Sequence, residues 1–249
     1  MFLYLTQEFF TLFLSITSYS LIMLEYSLEF LSDLNKNNNR DWFEQNRSRY
    51  ARAKSEFEVF VNELIIGVKK IDPNIGLPSV KDCIFRIYRD TRFSHDKTPY
   101  KSHFSAYIAD GGRKSAQAGY YFHLEPEGAG FLDGTICAGG LHCPEAESLR
   151  LLREDIVYNY KEFKSIIEGK DFTERFRWFD APALKKVPRG FSSDFEGAEW
   201  LKMKELSFFS SLSVSDLSSK GLLDKILEIF SSMYPLNTFI NRAIEPGNG

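Results

Sequence analysis

The chain has 249 residues, of which 43% are hydrophobic and 26% are charged, and its formal net charge is −3. This length and composition are typical of a soluble globular protein with one sizeable core or two small ones, and the slightly acidic charge argues against nucleic-acid binding. The three cysteines, Cys83, Cys137 and Cys143, are too few for a disulfide framework, which favours a reducing, cytoplasmic location.

The first 24 residues differ from the rest of the chain. Residues 9–24 carry no charge and are mostly apolar, but they are fewer than the roughly 20 residues that a membrane span needs. No Lys or Arg precedes Lys36, so the basic flank of a signal peptide is missing. Three hypotheses remain for this extension: translation starts at Met23, the segment is a tail, or it is a weak membrane anchor. We place the domain itself at residues 25–245.

Helices are predicted on both sides of a central β region. The first helix has a leucine at every third or fourth position: Leu24, Leu28, Leu31 and Leu34. Asn39 is placed to cap a second helix that runs from about Arg40 to Lys70. A helical spacing recurs later in Phe172, Phe176 and Phe179. Pro235 is expected to kink or restart the last helix.

Four strands are predicted between these helical parts, at residues 83–91, 103–109, 119–125 and 131–138. The successive connections are short, and those after the second and third strands contain glycines, which favours an antiparallel meander. We therefore predict a single α+β domain, in which a sheet of about four or more strands packs on helices from both the N- and C-terminal parts.

Alternating side chains in the second and third strands predict a shared polar face. His103, Ser105 and Tyr107 lie opposite Phe104, Ala106 and Ile108, and Tyr121, His123 and Glu125 lie opposite Tyr120, Phe122 and Leu124. When the apolar faces are paired, His103 lies across from or near His123 or Glu125, with cross-strand neighbours roughly 5 Å apart.

The first and fourth strands are assigned to the same two faces. In the first, Phe85 and Ile87 belong to the core, and the polar face carries Arg86, Tyr88, Asp90 and Arg92. In the fourth, Leu132 and Ile136 point inward, and the opposite side carries Asp133, Thr135 and Cys137. The predicted polar face therefore combines arginines, carboxylates, tyrosines and both histidines.

This face has the residue types of an anion-binding site, because arginine and lysine supply several donors that fit phosphate or carboxylate. The candidate anion-binding residues are Arg86, Arg89, Arg92, Lys97 and Lys101. Imidazole and carboxyl groups beside them are candidate acids and bases. The candidate catalytic residues are His103, His123, Glu125 and Asp90, the last orienting an arginine or a histidine.

Simpler hypotheses remain open for the same residues. The charged face is equally typical of cross-strand ion pairs in water, and both histidines are equally typical of structural, hydrogen-bonded residues. His103, His123 and Glu125 are metal-ligand types without a recognised ligand spacing, so no metal is predicted and cofactors remain unassigned. His142 and Cys143 are interpreted as the entry to a helix.

Five segments carry a resemblance to a known family. They are FLSDLNKNNNRDWF (30–43), KDCIFRIYRDTRFSHDKTPYKSHF (81–104), AGYYFHLEPEG (118–128), PRGF (188–191) and LKMK (201–204). Over residues 26–243 the chain resembles a mainly bacterial family, the domain of unknown function numbered 2461. The resemblance implies a stand-alone soluble domain, and it carries over no catalytic residue and no assigned activity.

Two functional hypotheses follow. The first is a protein with an anion-binding pocket on its sheet, an enzyme if the pocket acts on a phosphorylated or carboxylated small molecule. The second is a non-enzymatic interaction module that docks an acidic protein or RNA through its basic segments at 81–114 and 185–204. Neither a membrane nor, under the first hypothesis, a nucleic acid is an expected partner.

Overall fold

The computed structural model describes residues 24–179 and 183–245. The helices within these ranges are α1 (Glu25–Lys36), α2 (Arg40–Gln45), α3 (Arg47–Ile71), α4 (Val80–Cys83), α5 (Ala146–Tyr158), α6 (Tyr160–Ile167), α7 (Lys170–Arg175), α8 (Ala198–Lys202), α9 (Val214–Leu217) and α10 (Leu222–Ile244). The strands are β1 (Phe104–Ile108), β2 (Gly119–Leu124), β3 (Ile136–Leu141), β4 (Arg177–Trp178) and β5 (Leu206–Ser211). The predicted start at Met23 and the tail and anchor hypotheses fall on residues outside the described ranges.

The five strands form one antiparallel sheet in the order β1-β2-β3-β5-β4. β1, β2 and β3 correspond to three of the four strands of the predicted meander, and β5 and β4 extend the sheet on the far side. The predicted α+β class with an antiparallel sheet of more than four strands is thus confirmed. Among the described helices, none has both the length and the apolar composition required to cross a membrane.

Helices from both ends of the chain cover one face of the sheet. Phe57 and Phe60 of α3 lie with their ring centroids 6.1 Å and 5.4 Å from that of Phe122 in β2. From the C-terminal side, Phe230 of α10 lies 5.2 Å from the ring of Tyr120 in the same strand. Burial of these aromatic surfaces is the main force that holds α3 and α10 to the sheet.

Asparagines separate the three N-terminal helices from one another. The Asn39 side chain accepts a hydrogen bond from the Trp42 backbone N–H at 2.9 Å, which confirms the predicted cap. The second predicted helix is divided at Asn46, which lies between α2 and α3. The Asn46 side-chain amide donates to the Trp42 carbonyl at 2.9 Å, in addition to the helical bond that the Asn46 N–H makes to the same carbonyl at 3.0 Å.

The strand predicted at 83–91 was wrong. Cys83 ends α4, and the following residues form only isolated bridges, Ile84 with Ala106 and Tyr88 with Tyr100. The bridged residues Ile84 and Tyr88 are four positions apart, whereas their partners Tyr100 and Ala106 are six positions apart. This mismatch is a bulge that interrupts the hydrogen-bond ladder, so residues 84–88 follow β1 as an irregular edge.

The fourth strand begins five residues later than predicted and has the opposite facing. Residues 126–134 form a loop with positive φ at Gly128, Gly130 and Asp133, which is incompatible with an extended strand. In β3, Cys137 pairs with Phe122 on the helix-covered side, and Ile136 pairs with His123 on the other side. The predicted inward position of Ile136 was therefore wrong.

Two further differences lie in the C-terminal part. α7 ends at Arg175, and Arg177–Trp178 form β4 in place of the predicted helical turn. β4 pairs with β5, which was not predicted. α10 continues through Pro235 without a restart, since its buried residues pack on the sheet on both sides of the proline.

A buried asparagine joins α10 to the sheet. Asn237 has no exposed surface, its amide donates to the Gly119 carbonyl at 3.0 Å, and its oxygen accepts from the Gly140 N–H at 3.0 Å. The close approach requires glycine at 139, where an added Cβ would lie 2.5 Å from the Met233 side chain. Asn237 therefore completes a hydrogen-bond ladder where the helix crosses two strands.

Replacing Asn237 with leucine should lower the free energy of unfolding by about 2 kcal/mol, since two buried backbone groups lose their partners. Urea unfolding followed by circular dichroism measures the change. Asn241→Leu is the matched control, because Asn241 makes the same pair of bonds to Ala118 from a half-buried position that water reaches. If both variants lose the same free energy of unfolding, the burial of Asn237 is not the reason for its effect on stability.

Candidate functional site

The candidate site lies on the sheet face opposite α3 and α10. Ser105 pairs with His123 and Tyr107 with Tyr121, so the side chains that were predicted to share a face do so. The ring centroids of His103 and His123 are 4.3 Å apart. His103, His123 and Glu125 are all almost fully buried, at 5%, 0% and 1% exposure. Burial of three ionisable groups together is costly unless their hydrogen bonds are arranged for it.

The loop after β2 wraps around the Glu125 carboxylate. Its oxygens accept hydrogen bonds from the N–H groups of Phe131 at 3.0 Å and Leu132 at 2.8 Å, and His123 Nε2 lies at 3.2 Å. Burial by itself raises the pKa of Glu125, but the bonds from His123, Leu132 and Phe131 outweigh it and lower the pKa to about 2. Glu125 is therefore a carboxylate at neutral pH.

A carboxylate only accepts hydrogen bonds, which determines the tautomer of His123. In the neutral ring, Nε2 carries the proton and donates to Glu125, and Nδ1 has the lone pair. The Tyr121 hydroxyl lies 2.9 Å from Nδ1 and donates to it. A hydrogen-bonded chain thus runs from Tyr121 through His123 to Glu125. In it, Glu125 orients the His123 imidazole, which is the base for the Tyr121 phenol. Burial raises the pKa of Tyr121 to about 12.

His103 has a buried nitrogen without a partner. Its Nδ1 makes no hydrogen bond to the described residues. Its ring is stacked on Phe131, whose centroid is 4.7 Å away, and contacts the His123 ring at a tilt. Burial first, and then the nearby His123 and Lys101, lower the pKa of His103 to about 3. His103 is thus a neutral imidazole with a nitrogen unpaired among the described residues, and it lies next to the hydrogen-bonded residues Tyr121, His123 and Glu125.

Cationic side chains adjoin this pair of histidines. The Lys101 ammonium lies 5.6 Å from the ring centroid of Phe85, and that ring lies edge-on to Tyr121 at 6.4 Å. Burial, followed by the charges of Arg86 and Arg89, lowers the pKa of Lys101. Three positive groups therefore interact at the edge of the sheet, beside the histidine side of the site.

The facing of residues 85–88 differs from the prediction. Phe85 was assigned to the core but contacts Tyr121 on the polar side. Tyr88 was assigned to the polar side but lies 6.0 Å from Phe43 and 5.4 Å from Tyr100, next to the N-terminal helices. The bulge between the two bridges explains the change, because it alters the facing of residues along the edge.

The remaining predicted residues are bonded within the loop that joins this edge to β1. Asp90 accepts from Arg92 at 2.9 Å and 2.6 Å, so it orients an arginine, and Arg92 lowers the pKa of Asp90. Among the described contacts of Asp90, none joins it to a histidine. Arg89 is bonded to Asp96 and Thr98.

Lys97 also lies in this loop and donates to the Thr91 carbonyl at 2.9 Å. Of the five candidate anion-binding residues, Arg86, Lys97 and Lys101 have no carboxylate partner among the described residues.

An apolar cavity of about 490 Å³ lies on the same face. Its wall includes Phe131, Ile136, Phe179 and Phe209. Ile136 is paired with His123, which places the cavity next to the histidines. This apolar wall was not predicted from the sequence, because β5 was not predicted and Ile136 was assigned to the other face. Tyr121 was placed correctly but was given no role.

Metal binding by the histidine pair and Glu125 is geometrically accessible, since one ligand atom of each lies within 4.8 Å of the others. Zinc commonly takes this combination of residue types. However, backbone N–H groups already occupy both Glu125 oxygens, and both nitrogens of His123 are hydrogen-bonded. The hydrogen-bond chain therefore accounts for this cluster without an ion.

The fold and site together define an antiparallel α+β protein with a buried imidazole–carboxylate site beside a group of cations. The chain belongs to the family described as conserved hypothetical protein (DUF2461), which it matches over residues 26–239. This confirms the resemblance seen in the sequence. No curated protein and no solved structure matches the chain.

Proposed function

We propose that the polar face of the sheet binds a small anion, and that the protein is an enzyme acting on a phosphorylated or carboxylated small molecule. The observation that carries the proposal is the position of Lys101, Arg86 and Arg89 beside a histidine pair with an oriented tautomer. Sites that combine altered pKa values with convergent polar groups are the usual places for ligand binding and catalysis.

The charge balance of the edge supports an anionic ligand. Among the described residues, Asp96 is the one carboxylate bonded to any of these three cations, and it is bonded to Arg89. Lys101 is half-buried against Phe85, where unbalanced positive charge is unfavourable. A phosphate or carboxylate group would compensate the charges of Lys101 and Arg86 and accept their hydrogen bonds.

The proton chemistry follows from the same geometry. Glu125 holds the Nε2–H tautomer of His123, so that Nδ1 is the base for the Tyr121 hydroxyl. His103, neutral at physiological pH, has a buried Nδ1 with no hydrogen-bond partner among the described residues. We assign proton transfer to Tyr121 and His123, orientation to Glu125, ligand contact to His103, and anion binding to Lys101 and Arg86.

Inorganic phosphate, phosphate esters and carboxylates should raise the melting temperature of the full chain. At a ligand concentration 100 times Kd, the expected shift for a chain of this size is about 5–10 °C. Lys101→Met and Arg86→Ala should abolish the shift while changing the melting temperature without ligand by only a few degrees. Differential scanning fluorimetry at low ionic strength measures both quantities.

Lys114→Met is the matched control, since Lys114 belongs to the same basic stretch but is exposed in a separate 3-10 helix, Gly112–Lys114. It should retain the full ligand shift. An equal loss of the shift in all three variants would indicate non-specific charge attraction and would contradict the site.

The interaction-module hypothesis makes a different prediction. Lys185, Lys186, Arg189 and Lys204 are exposed, which fits a docking surface as well as a solvated loop. If that hypothesis holds, acidic polypeptides or RNA should bind, and Lys185→Ala and Lys186→Ala should weaken the binding, whereas the pocket hypothesis predicts no such binding. Fluorescence anisotropy with labelled polyglutamate and RNA distinguishes the two hypotheses.

A further inference from the structure

A second cluster of chemically reactive side chains lies at the opposite end of β3. It consists of His142, Cys143 and Glu205. His142 Nδ1 is 3.0 Å from Glu205 Oε2, Cys143 Sγ is 3.7 Å from the same oxygen, and Sγ is 3.4 Å from His142 Nε2. An imidazole, a thiol and a carboxylate therefore meet within hydrogen-bonding range, away from the site described above.

The backbone holds this cluster in place. Leu141 pairs with Leu206, so His142 and Glu205 are the next opposed residues beyond the two strands. Cys143 has φ of +46°, an unusual value for a residue with a side chain. Its N–H donates to Glu205 Oε2 at 3.2 Å. α5 begins only at Ala146, so residues 142 and 143 precede the helix.

We propose that His142, Cys143 and Glu205 form a binding site for a divalent first-row transition metal ion, with zinc as the preferred ion. Thiolate, imidazole and carboxylate are the three ligand types that zinc uses in proteins. With bonds of about 2.0–2.3 Å to sulfur, nitrogen and oxygen, a tetrahedral ion holds its ligands roughly 3.3–3.6 Å apart. One ligand atom of each of the three residues already lies within 4.8 Å of the others, and the Cys143 sulfur lies 3.7 Å from the Glu205 oxygen.

Little rearrangement is needed for an ion to bind. The His142 side chain is 71% exposed, so its ring can rotate to direct a single nitrogen at the ion. Glu205 is only 14% exposed and is held by the Cys143 backbone, so it provides an ordered ligand. Three protein ligands leave a fourth position open to solvent, the arrangement found in catalytic rather than structural zinc sites.

Cys143 is the one accessible thiol of the chain, because Cys83 and Cys137 are buried. A thiolate bound to cobalt gives an intense charge-transfer absorption, so Co²⁺ reports directly on Cys143. This readout does not depend on the proposed function of the histidine pair and its cations. Failure of one proposal would therefore leave the other unaffected.

The experiment titrates the full chain, reduced with a phosphine reductant, with Co²⁺ and then with Zn²⁺ in competition with a chromophoric chelator. One ion per chain should bind, with the charge-transfer band. Cys143→Ser should lose the band. His142→Gln and Glu205→Gln should each weaken zinc binding by roughly tenfold or more, the cost that is seen even for outer-sphere contacts.

His95→Gln is the matched control, because His95 is an exposed histidine in a separate loop. It should bind both ions as the unchanged protein does. Circular dichroism and the melting temperature establish that each variant is folded. The proposal is overturned if the reduced chain binds no zinc, or if His142→Gln and Glu205→Gln bind as tightly as the unchanged protein, which would mean that the thiol binds alone.

Discussion

Replacing His103 with phenylalanine should make the protein more resistant to acid. The His103 pKa is lowered to about 3 in the folded state, whereas an unfolded histidine titrates near 6.5. Between these values the unfolded chain binds more protons, so stability is complete above pH 6.5 and falls as the pH decreases towards 3. The difference corresponds to about 5 kcal/mol, which the phenylalanine variant should retain.

At pH 7 the same variant should be as stable as the unchanged protein or slightly more stable. The replacement keeps a ring stacked on Phe131 and removes a buried nitrogen that has no partner. Urea unfolding at pH 7, 6, 5 and 4 measures the free energy for both proteins. His95→Gln, at an exposed loop position, should keep the original pH dependence. If the stability of His103→Phe has the same pH dependence as that of the unchanged protein, His103 is not a neutral buried imidazole.

Glu125→Leu should lower the free energy of unfolding at pH 7 by about 3–5 kcal/mol, the range for removing one partner from a buried charged network. The Phe131 and Leu132 N–H groups and His123 Nε2 would all lose their acceptor. Glu125→Gln should lose less, because the amide oxygen still accepts some of these bonds. Equilibrium unfolding followed by tryptophan fluorescence measures both.

The pH dependence of the free energy of unfolding distinguishes the contribution of the Glu125 charge from that of its side-chain shape. Its pKa of about 2 lies below the value near 4.5 of an unperturbed glutamate. The carboxylate therefore stabilises the fold above pH 4.5, and this contribution, about 3 kcal/mol, is lost as the pH falls towards 2. Glu125→Gln should lack it. If the free energies of unfolding of the unchanged protein and Glu125→Gln differ by a constant amount from pH 6 to pH 3, the assigned pKa of Glu125 is contradicted.

The pairing of β1 with β2 was predictable because the information is local. Both strands alternate between polar and apolar residues, and a slip of one position would place His123 on the helix-covered side. The observed pairs, Ser105 with His123 and Tyr107 with Tyr121, follow from that constraint. The cap at Asn39 was predictable for the same reason, since it depends on a hydrogen bond over three residues.

β3 and β5 were not predictable in the same way. β3 contains the small residues Ala138, Gly139 and Gly140, so its sequence has no clear alternation to assign a facing. Its facing is determined by the close approach of α10, where Met233 lies against Gly139. The apolar wall of the site depends on both strands and was therefore missed with them.

The amino-acid sequence alone determined the α+β class, the family, and the gathering of His103, His123 and Glu125 on one face, because each depends on periodicity or on short motifs. The tertiary structure decided how these groups are hydrogen-bonded. The Glu125 carboxylate is held by N–H groups of a loop whose backbone direction no side-chain pattern encodes, and the resulting tautomer of His123 follows from that contact. Burial and hydrogen bonding depend on the whole packed chain, so the chemistry of the site required its coordinates.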